Sequence, residues 1–223
     1  MEARNLGEGL GATCMDNISR HRCLIYTGPP SNHLAGLSAV IRDKLQNNYR
    51  CLYLNSPTMV AGIRSALAAS GLNVADEVAS GSLVLSSDQS HLMRDTFDPR
   101  RMLNLLSTAF HDALVDGYVG LWASGDMAWE FGPARDFGKL MEYERGLDEF
   151  LRAHPTMCGI CQYHADVLPA DVVRNGFASH PALYVNETLS LINSHYAPSE
   201  SGVENHDFNK ALASHLSRMT QGA

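Results

Sequence analysis

No uninterrupted apolar stretch in this chain approaches the roughly 18 residues that a membrane span needs, and its beginning lacks the charged-then-apolar layout of a signal peptide. The sequence therefore reads as a soluble, cytoplasmic protein with no membrane partner. Positive charge is also in short supply: 17 Lys and Arg face 24 Asp and Glu, for a formal net charge of -7. Proteins that hold a nucleic-acid backbone carry a clustered basic excess. Here only Arg100-Arg101 hints at one, so direct nucleic-acid binding is not expected. Cysteine is scarce and odd in number. Cys14 sits in a polar leader, and Cys23, Cys51, Cys158 and Cys161 sit in or beside apolar runs. That pattern fits buried thiols in a reducing compartment better than a disulfide framework.

A further absence is local. The stretch Ile25-Tyr-Thr-Gly-Pro-Pro-Ser-Asn-His-Leu-Ala-Gly36 has the outline of a phosphate-binding strand, loop and helix. In a working loop of this kind the run G-x-x-x-x-G-K-[ST] supplies bare backbone N–H groups, a lysine and a hydroxyl for Mg²⁺. Gly28 opens the frame, but the next three key positions read His33, Leu34 and Ala35. The lysine and the metal-binding hydroxyl are both gone, so hydrolysis of a nucleotide by this loop is not expected. The same residues also read as an ordinary turn, with Ser31 or Asn32 capping the helix that follows.

What is present is an ordinary globular composition, 45% hydrophobic and 18% charged over 223 residues, enough for one large α/β domain. Residues 1–20 read as a flexible leader and residues 197–223 as a polar tail with a short helix near 207–219, leaving one domain over 21–196. Within it, strand signals at 22–27, 51–55, 82–86, 118–123, 157–163 and 182–185 alternate with helical periodicities. These include Leu34, Leu37, Ile41 and Leu45, and Met102, Leu106, Phe110 and Leu114. Ser56-Pro57 and Asp98-Pro99 read as N-cap and first helical residue. Such alternation implies crossover connections, hence a three-layer α/β fold with a mainly parallel sheet and helices on both faces. Ligands of such sheets sit beyond the carboxyl ends of the strands. That rule gathers Thr27, Gly28, Ser31, Asn32, His33, Asp126, Met127, Trp129, Gln162 and His164 as candidate ligand-binding residues.

The densest polar run is Cys158-Gly-Ile-Cys161-Gln-Tyr-His164. With His21 and Cys23 on one face of the first strand it raises a zinc site, with His21, Cys23, Cys161 and His164 as the candidate ligands. However, strand residues three apart project to opposite faces, so Cys158 and Cys161 would share a metal only across a turn. Buried thiols are the plainer reading, and no metal or other cofactor is expected. A thiol enzyme using Cys161 with His164 as base meets a similar difficulty, since neither lies on a helix N-terminus or exposed elbow. Asp126, expected just past the fourth strand, reads as a cap of the next turn or a polar ligand contact. Met127 and Trp129 suit an adaptable apolar wall or plain packing. His180-Pro181 reads as the end of a short helix and carries no assigned chemistry.

Taken in order, His21-x-Cys23-x-x-Tyr26, Cys51-Leu-Tyr-Leu, Phe97-Asp98, Gly125-Asp-Met-Ala-Trp129, Tyr143-Glu144, Cys161-Gln-Tyr163 and His180-Pro181 resemble the MEDS sensory domains of methanogen and methylotroph signalling proteins, including the dichloromethane regulator DcmR. They span about residues 20–196. The resemblance implies a RecA/KaiC-like domain with a degenerate nucleotide loop and a role in sensing simple hydrocarbon derivatives, usually beside a kinase or DNA-binding module. No such output module is visible, so the partner is expected to be a separate signalling protein, a kinase or transcription regulator. Asp126 stands where the family is expected to favour glutamate, which puts in doubt any role that needs the longer carboxylate.

The leading expectation is thus a non-catalytic sensory domain for a small, largely apolar ligand, signalling through a partner protein and able to form a homo-oligomer. The alternatives are a pseudo-ATPase that binds a nucleotide or anion without hydrolysis, a metal- or thiol-dependent enzyme using Cys161 and His164, and an interaction protein with no ligand.

Overall fold

The computed structural model describes residues 20–185, 190–196 and 208–221. The expected leader, and the tail apart from its helix, lie outside the described residues. The first strand, β1 (His21–Tyr26), leads through a short 3-10 turn into α1 (Leu34–Gln46). Next come β2 (Tyr49–Leu54), α2 (Pro57–Ala69), α3 (Val74–Ala79) and β3 (Leu83–Ser86). A two-strand hairpin, β4 (Leu92–Met93) with β5 (Thr96–Phe97), precedes α4 (Pro99–Val115) and β6 (Gly120–Asp126). After α5 (Met127–Glu130) come α6 (Leu140–Ala153), β7 (Met157–His164), α7 (Ala170–Ser179), β8 (Ala182–Tyr184), β9 (Ser190–Ile192) and α8 (Phe208–Gln221).

Seven strands form one sheet in the order β3-β2-β6-β7-β1-β8-β9, parallel apart from the antiparallel β8–β9 pair at the edge. Residue parity along each strand decides which core it joins. Cys23, Ile25, Leu52, Leu54, Leu121, Cys161 and Tyr163 pack with α4, α6 and α7 on one face. Leu24, Tyr26, Cys51, Tyr53, Trp122 and Ile160 pack with α1 and α2 on the other. Strands buried on both faces read as continuous apolar runs, which is how they stood out in the sequence.

The caps explain where the helices start. Ser56 Oγ accepts from the Met59 N–H, Asp98 Oδ1 accepts from the Arg101 N–H, and proline follows each cap. Ser31 and Asn32 do not cap α1. Pro29-Pro30 sets up a 3-10 turn in which the Asn32 N–H is spent on the Pro29 carbonyl, and His33 becomes the N-cap without a side-chain bond. The fourth parallel strand also runs farther than expected: β6 includes Gly125 and Asp126, held in register by Cys161 and Gln162 of β7. Sequence periodicity did not reveal α3, α5, the β4–β5 hairpin or β9, all of six residues or fewer.

Candidate functional site

At the carboxyl end of the sheet, β1, β6 and β7 bring some of the expected residues together. The Tyr26 hydroxyl donates to Asp126 Oδ2 at 3.3 Å, and its ring stacks on His164 at 4.6 Å and meets the edge of His33 at 4.4 Å. Asp126 Oδ1 accepts from the Trp129 N–H at 3.0 Å, so this carboxylate caps α5. Burial raises the Asp126 pKa, while the bonds from the Trp129 N–H and the Tyr26 hydroxyl pull it down. Burial holds His33 at about 4, with the His164 charge adding to the effect, so its imidazole is neutral near pH 7. Gln162 is buried and donates from Nε2 to Ser124 Oγ, which in turn donates to the Ile160 carbonyl.

The loop after β1 is tied to the segment after β7. The Gly28 N–H donates to Asp166 Oδ2 at 2.7 Å. A half-exposed carboxylate thus stands beside the loop. Thr27, Ser31 and Asn32 are exposed around it.

Met127 and Trp129 go elsewhere. Met127 is fully buried in the core beneath α4 and α6. The Trp129 ring lies 5.5 Å from His91, and the Trp129 carbonyl accepts from Gln89. The thiol–base pair is not assembled either. Cys161 and His164 lie on opposite faces of β7: Cys161 Sγ meets His21 Nε2 at 3.9 Å, while His164 stacks on Tyr26. Burial keeps the Cys161 thiol well above its ordinary pKa, far from the thiolate a nucleophile needs.

A partly open space lies behind the mouth, between β6 and β7 and the helices α4 and α6. It is a cavity of about 30 Å³ walled by apolar residues such as Leu54, Met102, Leu106, Leu147 and Leu151, with Glu130, Tyr143, His21 and Cys161 as its polar points. Gly125 makes room for one of these: a Cβ there would stand 1.6 Å from Glu130 Oε1. Burial, reinforced by the charges of Glu144 and Asp126, raises the Glu130 pKa well above the carboxylate range. A bond from the Tyr143 hydroxyl works in the opposite direction, favouring the carboxylate.

Beside the cavity, β1, α6, β7 and the end of α7 deliver His21, Glu144, Cys161 and His180 to one point, all four buried. His21 Nε2 is 3.3 Å and His180 Nε2 3.5 Å from Glu144 Oε2. His21 Nδ1 lies 3.5 Å from Asp148 Oδ1, and the Tyr163 hydroxyl donates to Glu144 Oε1. Burial lowers the His21 pKa, but the bonds and charges of Asp148 and Glu144 outweigh it and leave a net rise. His180 falls to about 4 through burial and the His21 charge. Of the metal-ligand candidates read from sequence, His21 and Cys161 belong to this cluster and His164 does not. Cys23 is buried on the same sheet face.

Glu144 and His180 were missed as site residues, although both stand in the ordered motifs. The available signal was in α6: Leu140, Glu144, Leu147 and Leu151 recur at helical spacing, so a carboxylate sits in an apolar stripe. For His180, which follows α7, no local pattern pointed inward.

The fold defines the class: a three-layer RecA/KaiC-like α/β domain. Among solved structures, flagellar accessory protein FlaH from Methanocaldococcus jannaschii superposes with a TM-score of 0.53 and 14% identity, covering 83% of each chain. The profile of the family described as MEDS, the methanogen/methylotroph, DcmR sensory domain, matches residues 20–181, and the chain belongs to that family. No curated protein matches it.

Proposed function

We propose that this chain is a non-catalytic sensory domain whose ligand is a small, largely apolar molecule held in the cavity beneath α4 and α6. Membership of a sensory family sets the role, and the apolar cavity of about 30 Å³ is the observation that carries the ligand class. A space of that size holds about one or two heavy atoms as it stands, so a larger guest enters by repacking the leucine wall, and it admits no nucleotide. The ligand thereby moves from the mouth into the core, and the buried Glu130 carboxyl orients it. The Asp166 carboxylate on Gly28 speaks against the pseudo-ATPase reading, and the buried thiol of Cys161 speaks against a thiol enzyme. A guest that repacks Leu106 and Leu147 would shift α4 against α6, and a separate signalling protein, a kinase or transcription regulator, would read that movement.

Methyl NMR tests the reading. Titration with small halogenated or methylated hydrocarbons should shift the methyl signals of Leu54, Leu106, Leu147 and Leu151 and leave those of α1 and α2 in place. Shifts confined to the mouth around Leu34, or produced by ATP instead, would overturn it.

A further inference from the structure

We infer that His21, Glu144, Cys161 and His180 form a binding site for one divalent transition-metal ion, of which zinc is the best fit. One ligand atom from each residue lies within 4.8 Å of all the others. Tetrahedral zinc, with bonds of about 2.0 to 2.3 Å, places its ligand atoms roughly 3.3 to 3.7 Å apart. The observed separations of 3.3 Å (His21 Nε2 to Glu144 Oε2), 3.5 Å (His180 Nε2 to Glu144 Oε2) and 3.9 Å (His21 Nε2 to Cys161 Sγ) are close to those edges. Glu144 Oε2 and His180 Nε2 make no hydrogen bond, although both residues are almost completely buried. Unpaired buried polar atoms aimed at one another are costly unless something between them accepts their lone pairs.

The outer contacts are those that orient metal ligands. His180 Nδ1 lies 2.6 Å from the Gly176 carbonyl, which fixes the tautomer with the Nε2 lone pair facing the cluster. Asp148 stands beside His21 Nδ1, and Tyr163 donates to the Glu144 oxygen that faces away. Two imidazoles, a thiolate and a carboxylate suit zinc and its neighbours rather than Ca²⁺ or Mg²⁺. His21 and Cys161 also line the cavity. On the sensing reading above, a guest would therefore rest against the metal, but the site itself stands without that reading.

The test is metal content, measured on the full chain with no hydrocarbon added. Protein purified without chelator should carry close to one zinc per chain through dialysis. Replacement by Co²⁺ should give the visible bands of a tetrahedral ion and a near-ultraviolet thiolate charge-transfer band. Cys161→Ser should abolish the charge-transfer band, His180→Ala should weaken binding by roughly 10-fold or more, and Cys158→Ala, on the other sheet face, should change neither. Should the cluster variants fail to fold, the wild-type Co²⁺ spectrum decides alone. Substoichiometric zinc with no thiolate band, or a band that survives Cys161→Ser and disappears in Cys158→Ala, would overturn the site.

Discussion

Gly159 shows how one residue holds the centre of the sheet together. It sits in β7 between β1 and β6, and a Cβ there would lie 2.4 Å from the Ala123 carbonyl oxygen. Backbone cannot step aside as a flexible side chain can, so Gly159→Ala should cost at least about 2 kcal/mol in urea unfolding. An unchanged midpoint would show that β6 and β7 are not so closely paired. Asp126 is the corresponding polar test. Its removal in Asp126→Ala should cost about 1 kcal/mol by freeing the Trp129 N–H, and Asp126→Asn should recover most of the loss. Equal losses in both variants would shift the weight to the Tyr26 contact, where the negative charge matters. The cap was legible in the sequence because Asp before a turn has a local cause. The destination of Trp129 was not, because it depends on Gln89 and His91, about forty residues away.

Among the elements, α8 (Phe208–Gln221) carries a titrating group at its buried face. His215 is fully buried with both ring nitrogens lacking a hydrogen bond, and burial, then the Arg218 charge, lowers its pKa to about 4. A folded-state pKa below the unfolded 6.5 means that the unfolded chain takes up the proton first. The contribution is therefore intact above pH 6.5 and is lost as pH falls toward 4. His33 acts in the same direction from a half-buried position. His215→Leu should flatten the fall in stability between pH 6.5 and 4.5, measured by denaturant unfolding at a series of pH values. A slope equal to the wild type would place His215 in water. Helix and strand order was largely readable, because alternating periods and Ser-Pro or Asp-Pro starts are local signals. The exceptions, α3, α5 and β9, are too short to show a period. The expected cap on α1 failed because Pro29-Pro30 imposed a turn of its own.

For the whole molecule, two sites share one sheet and differ in how they came to view. The mouth followed from the rule for parallel sheets and from the missing lysine and hydroxyl, and the structure adds the Asp166 carboxylate bonded to the Gly28 N–H. The buried cluster depends on β1, α6, β7 and the end of α7 meeting, and the cavity on β6, β7, α4 and α6, and no spacing along the chain encodes either meeting. Among the described residues no helix is long and apolar enough to cross a membrane. The molecule therefore has a RecA/KaiC-like frame with its first loop bonded to its own carboxylate, a small leucine-walled cavity beneath α4 and α6, and a larger, more polar pocket between β2, β3 and α4.

A thermal-shift series, run on the wild type and on Leu106→Phe, tests that claim most directly. The larger ring fills the cavity at a cost of about 1 to 3 kcal/mol. At a hundred times its dissociation constant, a small halogenated or methylated hydrocarbon should stabilise the wild type by about 2.7 kcal/mol, a rise of roughly 5 to 10 °C in melting temperature. It should leave Leu106→Phe unmoved, and Mg²⁺ with ATP should shift neither protein. Stabilisation of both by ATP, with phosphate released, would contradict the account.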